Sequence, residues 1–313
     1  MKCRICDNEL GNKEYQAKEM LLGLRDEFTY FQCASCGCLQ IKTIPEAMDK
    51  YYSGNYYSYR TPQESARVLI RLGTRLYHRL LLKTGISLFG HFDNLLPATD
   101  VIRGLSALKV TVNSRILDVG SGSGEALWYL SRLGFKNLLG VDPFLAEDIH
   151  YGNGLKIKKC ALDEVDGLWD VIMFNHSFEH ISQPLQALEH VNRLLVTGGK
   201  CMIRIPVADS YGWRRFGVNW MHLDAPRHFF LHTRKSMQYL ASQAGLCFQS
   251  IRYEANASLF DGSKGYEQGI SVSERARSPL QVIGVYARYF LPAVHVNLTR
   301  QGDWVNIVLI KTS

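Results

Sequence analysis

The sequence predicts an α/β protein: a mostly parallel sheet with helices on both faces, led by a small cysteine-rich segment. Three observations predict it. From residue 111 onward, short apolar runs alternate with helical patterns in a β-α-β rhythm. One run, residues 115–119, ends in a turn with Gly120, Gly122 and Gly124 and passes at once into EALWYLSRLG. And five of the eight cysteines fall before residue 39, four of them as Cys-x-x-Cys pairs.

Residues 1–44 read as a zinc ribbon. Cys3, Cys6, Cys33 and Cys36 have the spacing of two knuckles that close a tetrahedral thiolate site, with Cys38 a possible substitute for Cys36. In a reducing compartment such spacing means metal rather than disulfides. Asn8, Gly11 and Gly37 supply turns, and residues 28–32 (FTYFQ) form a strand pattern. A structural Zn2+ would provide most of this segment's folding free energy, roughly 10–16 kcal/mol in small zinc peptides. The lone Cys160, Cys201 and Cys247 sit in apolar runs and read as core residues.

Residues 45–110 read as a linker or lid. Tyr51, Tyr52, Tyr56, Tyr57 and Tyr59 could pack on the main domain or cover a ligand. A helix is expected over 64–84, with Arg67, Arg71, Arg75, Arg79 and Lys83 along one ridge and Leu69, Leu72, Leu76 and Leu80 on another face. Such a helix suits a solvated face, an anionic membrane surface or a phosphorylated substrate.

In the main domain, 111–313, strands are expected near 115–119, 137–142, 156–160, 170–175, 199–205, 247–254 and 304–311. Helices are expected near 124–134, 184–195 and 233–244, with Pro184 in a first turn and Gly134 and Gly245 at C-caps. Residues 278–298 are apolar and read as a packing helix or a surface-seeking element.

The whole chain, 313 residues with 46% hydrophobic and 21% charged side chains, has the composition of an ordinary globular protein. A net charge of +7 is compatible with an anionic substrate, nucleic acid or membrane surface. With no apolar run of about 18 residues and no apolar signal core, the expected compartment is the cytoplasm.

The glycine turn narrows the chemistry. Dinucleotide folds use G-x-G-x-x-G and place pyrophosphate on the helix N-terminus. Here the spacing is G-x-G-x-G, and Asp118 precedes the first glycine by two residues. That carboxylate would repel a pyrophosphate and would suit an ammonium. Asp142, at the tip of the next expected strand, is placed to take two ribose hydroxyls. A ligand with an amino-acid end and an adenosine end fits both acids, and S-adenosylmethionine is such a molecule.

Four motifs in order, ILDVGSGSG, LLGVDP, DVIMFNHSFEHI and LLVTGGKCMIRIP, resemble class I S-adenosylmethionine-dependent methyltransferases over residues 111–313. The segment NWMHLDAPRHFFLHT and the cysteine knuckles resemble a bacterial subgroup of sugar and surface-polysaccharide methyltransferases. The resemblance implies a Rossmann-like sheet of seven strands, the last antiparallel. It implies that Asp118, Gly120, Ser121, Gly122 and Gly124 hold the methionine end and Asp142 the ribose. It puts Pro143, Phe144, Leu162 and Asp163 at the adenine, and Asn175 and His176 near the sulfonium. KKCALDEVDG departs from the family's acidic pattern, which puts Asp163 in doubt.

For the general base, His228 is the first candidate and His180 with Glu179 the next, all beside the C-terminal edge of the expected sheet. Arg227 and Arg204 could face a phosphate or sit in ion pairs; Trp213 and Trp220 could stack on a sugar or pack in the core. Three functions compete at this point. The first is methyl transfer to a small molecule or glycan, carried on a nucleotide or lipid diphosphate and releasing S-adenosylhomocysteine. The second is RNA methylation, with zinc ribbon and basic helix gripping phosphates, although no Asn-Pro-Pro-Tyr-type motif follows the fourth strand. The third is a non-catalytic zinc-dependent interaction module, which the intact turn and both acids argue against. Four thiolates would saturate the zinc, so no catalytic metal is expected.

Overall fold

The structure, a computed structural model, describes residues 1–52, 62, 68–86, 99–275 and 277–312. Tyr56, Tyr57, Tyr59 and Arg67 lie outside them. Three short strands open the chain: β1 (Lys13–Lys18), β2 (Glu27–Gln32) and β3 (Leu39–Ile41). Two helices follow, α1 (Val68–Thr84) and α2 (Thr99–Ser106). The main sheet then begins with β4 (Arg115–Val119), α3 (Glu125–Arg132), β5 (Asn137–Val141), β6 (Ile149–His150) and β7 (Lys156–Lys158). It continues with β8 (Trp169–Asn175), α4 (Pro184–Leu194), β9 (Leu195–Pro206) and α5 (Tyr211–Phe216). The chain ends with β10 (Phe230–Leu231), α6 (Arg234–Gln243), β11 (Cys247–Glu254), α7 (Ala257–Glu267), α8 (Pro279–Leu298) and β12 (Trp304–Ile310).

The strand order β11-β12-β9-β8-β4-β5-β7-β6 makes one large sheet among the described residues. Strands β7, β5, β4, β8 and β9 are parallel, and β12 runs antiparallel between β9 and β11. The seven expected strands are therefore present, and β6 adds a two-residue antiparallel edge on β7. Central strands are apolar on both faces: Val171, Ile172, Met173 and Phe174 of β8 are all buried, as a strand covered on two sides requires. From β4 the chain winds outward through β5 and β7, then returns to β8. The reversal puts a crevice beyond the C-terminal ends of β4 and β8.

Strands β1, β2 and β3 form an antiparallel sheet that β10 completes, pairing Phe230 with Gln40 and Leu231 with Leu39. The cysteine-rich segment thus takes its fourth strand from about 190 residues downstream. Cys3, Tyr30, Leu39 and Ile41 share one apolar core with Ile203, Phe229 and Leu231.

Two readings of the sequence change. Helix α1 buries Tyr77, His78 and Leu81, whereas Leu72, Leu76 and Leu80 are exposed alongside Arg79 and Lys83. The leucine ridge lies about 150° around the helix from the buried one, so it faces away from α2. Cys247 is exposed, at the edge of the sheet, while Cys201 is buried as expected. Residues 279–298 are a helix, started by the Ser278–Gln281 capping box with Pro279 in its first turn. It buries Tyr289, Ala293 and Val296 and exposes Leu280, Ile283, Leu291 and Leu298. No described helix is long and apolar enough to cross a membrane.

Candidate active site

Beyond β4 the backbone turns through left-handed conformations at Gly120, Gly122 and Gly124. At Gly120 an added Cβ would also come within 2.4 Å of Ser177 Cβ, so the turn packs directly on the loop after β8. Gly120 N–H donates to the Val141 carbonyl, which ties the turn to β5. Asp142 holds both loops: Oδ2 accepts from Gly122 N–H and Oδ1 from Phe144 N–H, each at 2.9 Å. Its spare lone pairs remain for other donors. Phe144 beside it is 80% exposed, an aromatic face open at the tip of β5. Pro143 is exposed too.

Asp118 is buried, and its Oδ1 has no hydrogen-bond partner among the described residues. Burial first, and the neighbouring Asp142 carboxylate second, push its pKa well above the usual carboxylate range. A cationic ligand group here would relieve both effects, so the donor set fits the ammonium of an amino acid. Leu162 and Asp163 follow β7 on a short 3-10 turn at the same edge; Leu162 is half-buried and Asp163 exposed.

On the other side, β8 ends in Asn175, and His176 follows it. His176 has φ +56° and accepts a hydrogen bond at Nε2 from the Arg204 guanidinium. Arg204 also pairs with Asp100 at 2.6 Å and stacks over Trp304 at 4.9 Å. Burial, and then Arg204, hold the His176 pKa well below the ordinary histidine value. His222 pairs with the buried Asp303 and lies 4.8 Å from the Trp304 ring. Trp304, His176, His222 and Arg204 thus make one wall.

The loop after His176 and the segment after β9 bring Glu179, His180 and His228 together. The His180 and His228 rings meet edge to face at 4.9 Å. Glu179 Oε1 stands 3.8 Å from His228 Nε2 and 3.7 Å from His176 Nδ1. Burial raises the Glu179 carboxyl to about 8 and lowers His228 to about 3. His228 is fixed from two sides: its Nδ1 hydrogen-bonds the His222 carbonyl at 2.8 Å, and Tyr30 donates to its own carbonyl at 2.8 Å. Tyr52 meets the His180 ring edge to face at 6.4 Å.

Arg227 is fully buried and bonds Asp224, Glu19 and the Tyr51 carbonyl. It is a structural ion pair, not a free phosphate ligand. Trp220 is a core residue whose Nε1–H donates to Asp303. Trp213 packs edge to face on Tyr15 and, with Gln32, Asp209 and Arg214, lines a cavity of about 400 Å3. Sequence reasoning missed Glu19, Asp100, Asp303 and Trp304. The first three act through partners 81 to 208 positions away, and no local spacing signals them.

The four knuckle cysteines converge: Cys3 and Cys36 sulfurs are 3.7 Å apart, Cys6 and Cys33 sulfurs 3.6 Å. Four thiolates around zinc at ~2.3 Å would stand ~3.8 Å apart. Backbone N–H groups of Ile5 and Cys36 and the Gln40 amide point at these sulfurs. Cys38 is buried outside the cluster, against the Leu39 carbonyl, so Cys36 is the member the geometry selects.

Residues 74–250 match the family described as "Methyltransferase domain". A curated relative, EEF1A lysine methyltransferase 2 of Danio rerio, is 31% identical over 116 residues, 33% of this chain and 49% of that protein. The chain thus spans about half the length of that relative. Among solved structures, the cyclopropane synthase MmaA2 of Mycobacterium tuberculosis aligns with a TM-score of 0.47 at 14% identity, covering 75% of this chain and 93% of that one. The 1,6-didemethyltoxoflavin-N1-methyltransferase of Burkholderia thailandensis, solved with S-adenosylhomocysteine, aligns with a TM-score of 0.41 at 14% identity over 80% and 94%.

Proposed function

The chain belongs to the methyltransferase-domain family, and from that premise we propose that it moves a methyl group from S-adenosylmethionine to an oxygen of a small carbohydrate-like acceptor. The observation that carries the reading is that two sets of polar side chains meet beyond the C-terminal ends of β4 and β8. One set offers Asp118, the glycine turn and Asp142 for a ligand with ammonium and ribose ends. The other offers Glu179, His180 and His228 for an acceptor.

Bound there, S-adenosylmethionine supplies an activated methyl on a sulfonium. Asp118 would take the ammonium, Asp142 the ribose hydroxyls, and Phe144 one face of the adenine. Asn175 and His176 border the position of the sulfonium. With both ends held, the chain's task is alignment, which is worth roughly 7–11 kcal/mol in well-oriented reactions. The acceptor oxygen bonds to the methyl carbon as the carbon–sulfur bond breaks and its pair stays on sulfur. The acceptor's proton passes to the Glu179–His228 pair; a positioned base contributes about 10²–10⁴-fold.

A sugar acceptor is supported by Glu179, His180 and His228, polar groups suited to a hydroxyl, and by the resemblance of residues 219–233 and the cysteine knuckles to sugar and surface-polysaccharide methyltransferases. Exposed Leu72, Leu76 and Leu80 beside Arg79 and Lys83 favour an acceptor carried by a lipid at an anionic cytoplasmic membrane surface. The Cys3–Cys6–Cys33–Cys36 site holds zinc in a structural role, since four thiolates leave no open position.

The test is S-adenosylhomocysteine release with nucleotide sugars, with lipid-linked glycans in anionic vesicles, with structured RNA and with protein lysines. Turnover with a sugar or glycan is the expected result. Turnover confined to RNA or to lysine overturns the acceptor, and none with any class overturns methyl transfer.

A further inference from the structure

Glu179 lies wholly inside the protein, and neither of its oxygens has a hydrogen-bond partner among the described residues. A buried carboxylate left this way costs several kcal/mol of solvation. The nearby cations are committed elsewhere: Arg227 to Glu19 and Asp224, Arg204 to Asp100. Asp224 adds a second carboxylate 3.7 Å from His228 Nε2. His176 offers no relief, because its Nε2 accepts from Arg204 and its Nδ1 stays 3.7 Å from Glu179, beyond hydrogen-bond reach.

Two imidazoles face this carboxylate in one defined tautomer. His228 donates Nδ1–H to the His222 carbonyl at 2.8 Å, and His180 donates Nδ1–H to the Arg227 carbonyl at 2.7 Å. Each is left with a lone pair on Nε2. A carbonyl on one ring nitrogen is how proteins orient a histidine whose other nitrogen binds a metal. One donor atom each from Glu179, His180 and His228 lie within 4.8 Å of one another.

We propose that Glu179, His180 and His228 hold one divalent transition-metal cation, separate from the cysteine site. A cation about 2.1 Å from each donor would hold them about 3.0–3.4 Å apart, so binding would draw in Glu179 Oε1 and His228 Nε2 from 3.8 Å and the set as a whole from within 4.8 Å. Two imidazoles and one carboxylate suit zinc, manganese, iron or cobalt and leave coordination positions open. A hydroxyl taking one of those positions would have its pKa lowered by the cation. With the cation bound, Glu179 and His228 are ligands and no longer take the proton themselves: the bound hydroxyl would release its proton to solvent water, and the pair serves as base only in the metal-free protein. This rests on the reading of the cluster as the acceptor side of a methyltransferase site, and it departs from the expectation of no catalytic metal.

The test is a Co2+ titration of the full chain with zinc retained in its cysteine site, followed by calorimetry and visible absorption. One equivalent of Co2+ is expected to bind with micromolar or tighter affinity and with no intense thiolate-to-cobalt charge-transfer band. Affinity should fall by roughly 100-fold or more in Glu179→Gln and in His228→Gln. S-Adenosylmethionine affinity in the same variants reports that they are folded; His180→Ala serves if either is not. No binding below millimolar Co2+, a thiolate band as the only signal, or binding indifferent to these substitutions overturns the proposal. Binding is read without turnover. Intact cobalt binding in a protein inactive toward every acceptor would sink the methyl-transfer reading alone.

Discussion

Replacing Asp118 by Asn removes a buried ionisable group and leaves a side chain of nearly the same shape. In the native protein that carboxyl has a raised pKa. A folded-state pKa above the unfolded value means that the folded state binds more protons across the intervening window, so stability falls as pH rises through it. Asp118→Asn is therefore expected to flatten the pH dependence of the ligand-free melting temperature. The same change should weaken S-adenosylmethionine binding by roughly 10–100-fold, the equivalent of one charge-assisted hydrogen bond. Calorimetry and melting curves from pH 5 to pH 8 check both. Unchanged affinity would remove Asp118 from the cofactor site. Residues such as Asp118, Asp142 and the paired cysteines are legible in sequence because their chemistry is local: an acid two positions before a glycine turn, two thiols three apart. Glu179 and His228 are also nameable, but their meaning comes from burial and from carbonyl partners that no spacing encodes. Glu19 carries no signal at all, being a single acid before an apolar run until Arg227 arrives from 208 positions away.

Among the elements, β10 explains why the distant cysteine-rich segment matters to the site. It is two residues long and lies two positions beyond His228, and its partner in the small sheet is β3. Tyr30 of β2 donates to the His228 carbonyl, and Thr233, which caps α6, donates to the Cys36 carbonyl. Losing a metal held by Cys3, Cys6, Cys33 and Cys36 should therefore loosen the 228–233 segment, although those cysteines belong to the segment of the other sheet. Cys33→Ser, or removal of zinc by a chelator, is expected to raise amide exchange at Phe230 and Leu231 and to lower turnover. S-Adenosylmethionine affinity should change less, because Asp118 and Asp142 sit on β4 and β5. Unaltered exchange at β10 would show that the cysteine cluster is a detachable appendage. At this scale the sequence is readable wherever an element is long and periodic: β4, β5, β8, α4 and α6 lie within two residues of expectation. It is silent on β10, since two residues have no period. It is ambiguous on α1, where two apolar ridges compete for one buried face.

Over the whole molecule, three distant segments meet on one guanidinium. Arg227 bonds Glu19 after β1, the Tyr51 carbonyl before the first helix, and Asp224 in its own loop. Glu19 in turn accepts backbone N–H bonds from Leu21, Leu22 and Leu24. The ion pair therefore orders the N-terminal loop and the histidine loop at once, and the Arg227 carbonyl also holds His180. Both Arg227 and Glu19 side chains are fully buried, so removing one partner strands the other's charge away from water. Arg227→Met is expected to cost about 3–5 kcal/mol of folding stability. Glu19→Gln alone should cost less, because the amide oxygen keeps part of its backbone bonding. In the double variant no charge is stranded, and the loss should fall short of the sum by about 0.5–3 kcal/mol. Urea unfolding of the four proteins gives that coupling directly. Strictly additive losses would mean that the two side chains are held by their surroundings rather than by each other, and the N-terminal segment would then be docked by the apolar contacts around Tyr30, Leu39 and Phe230 alone.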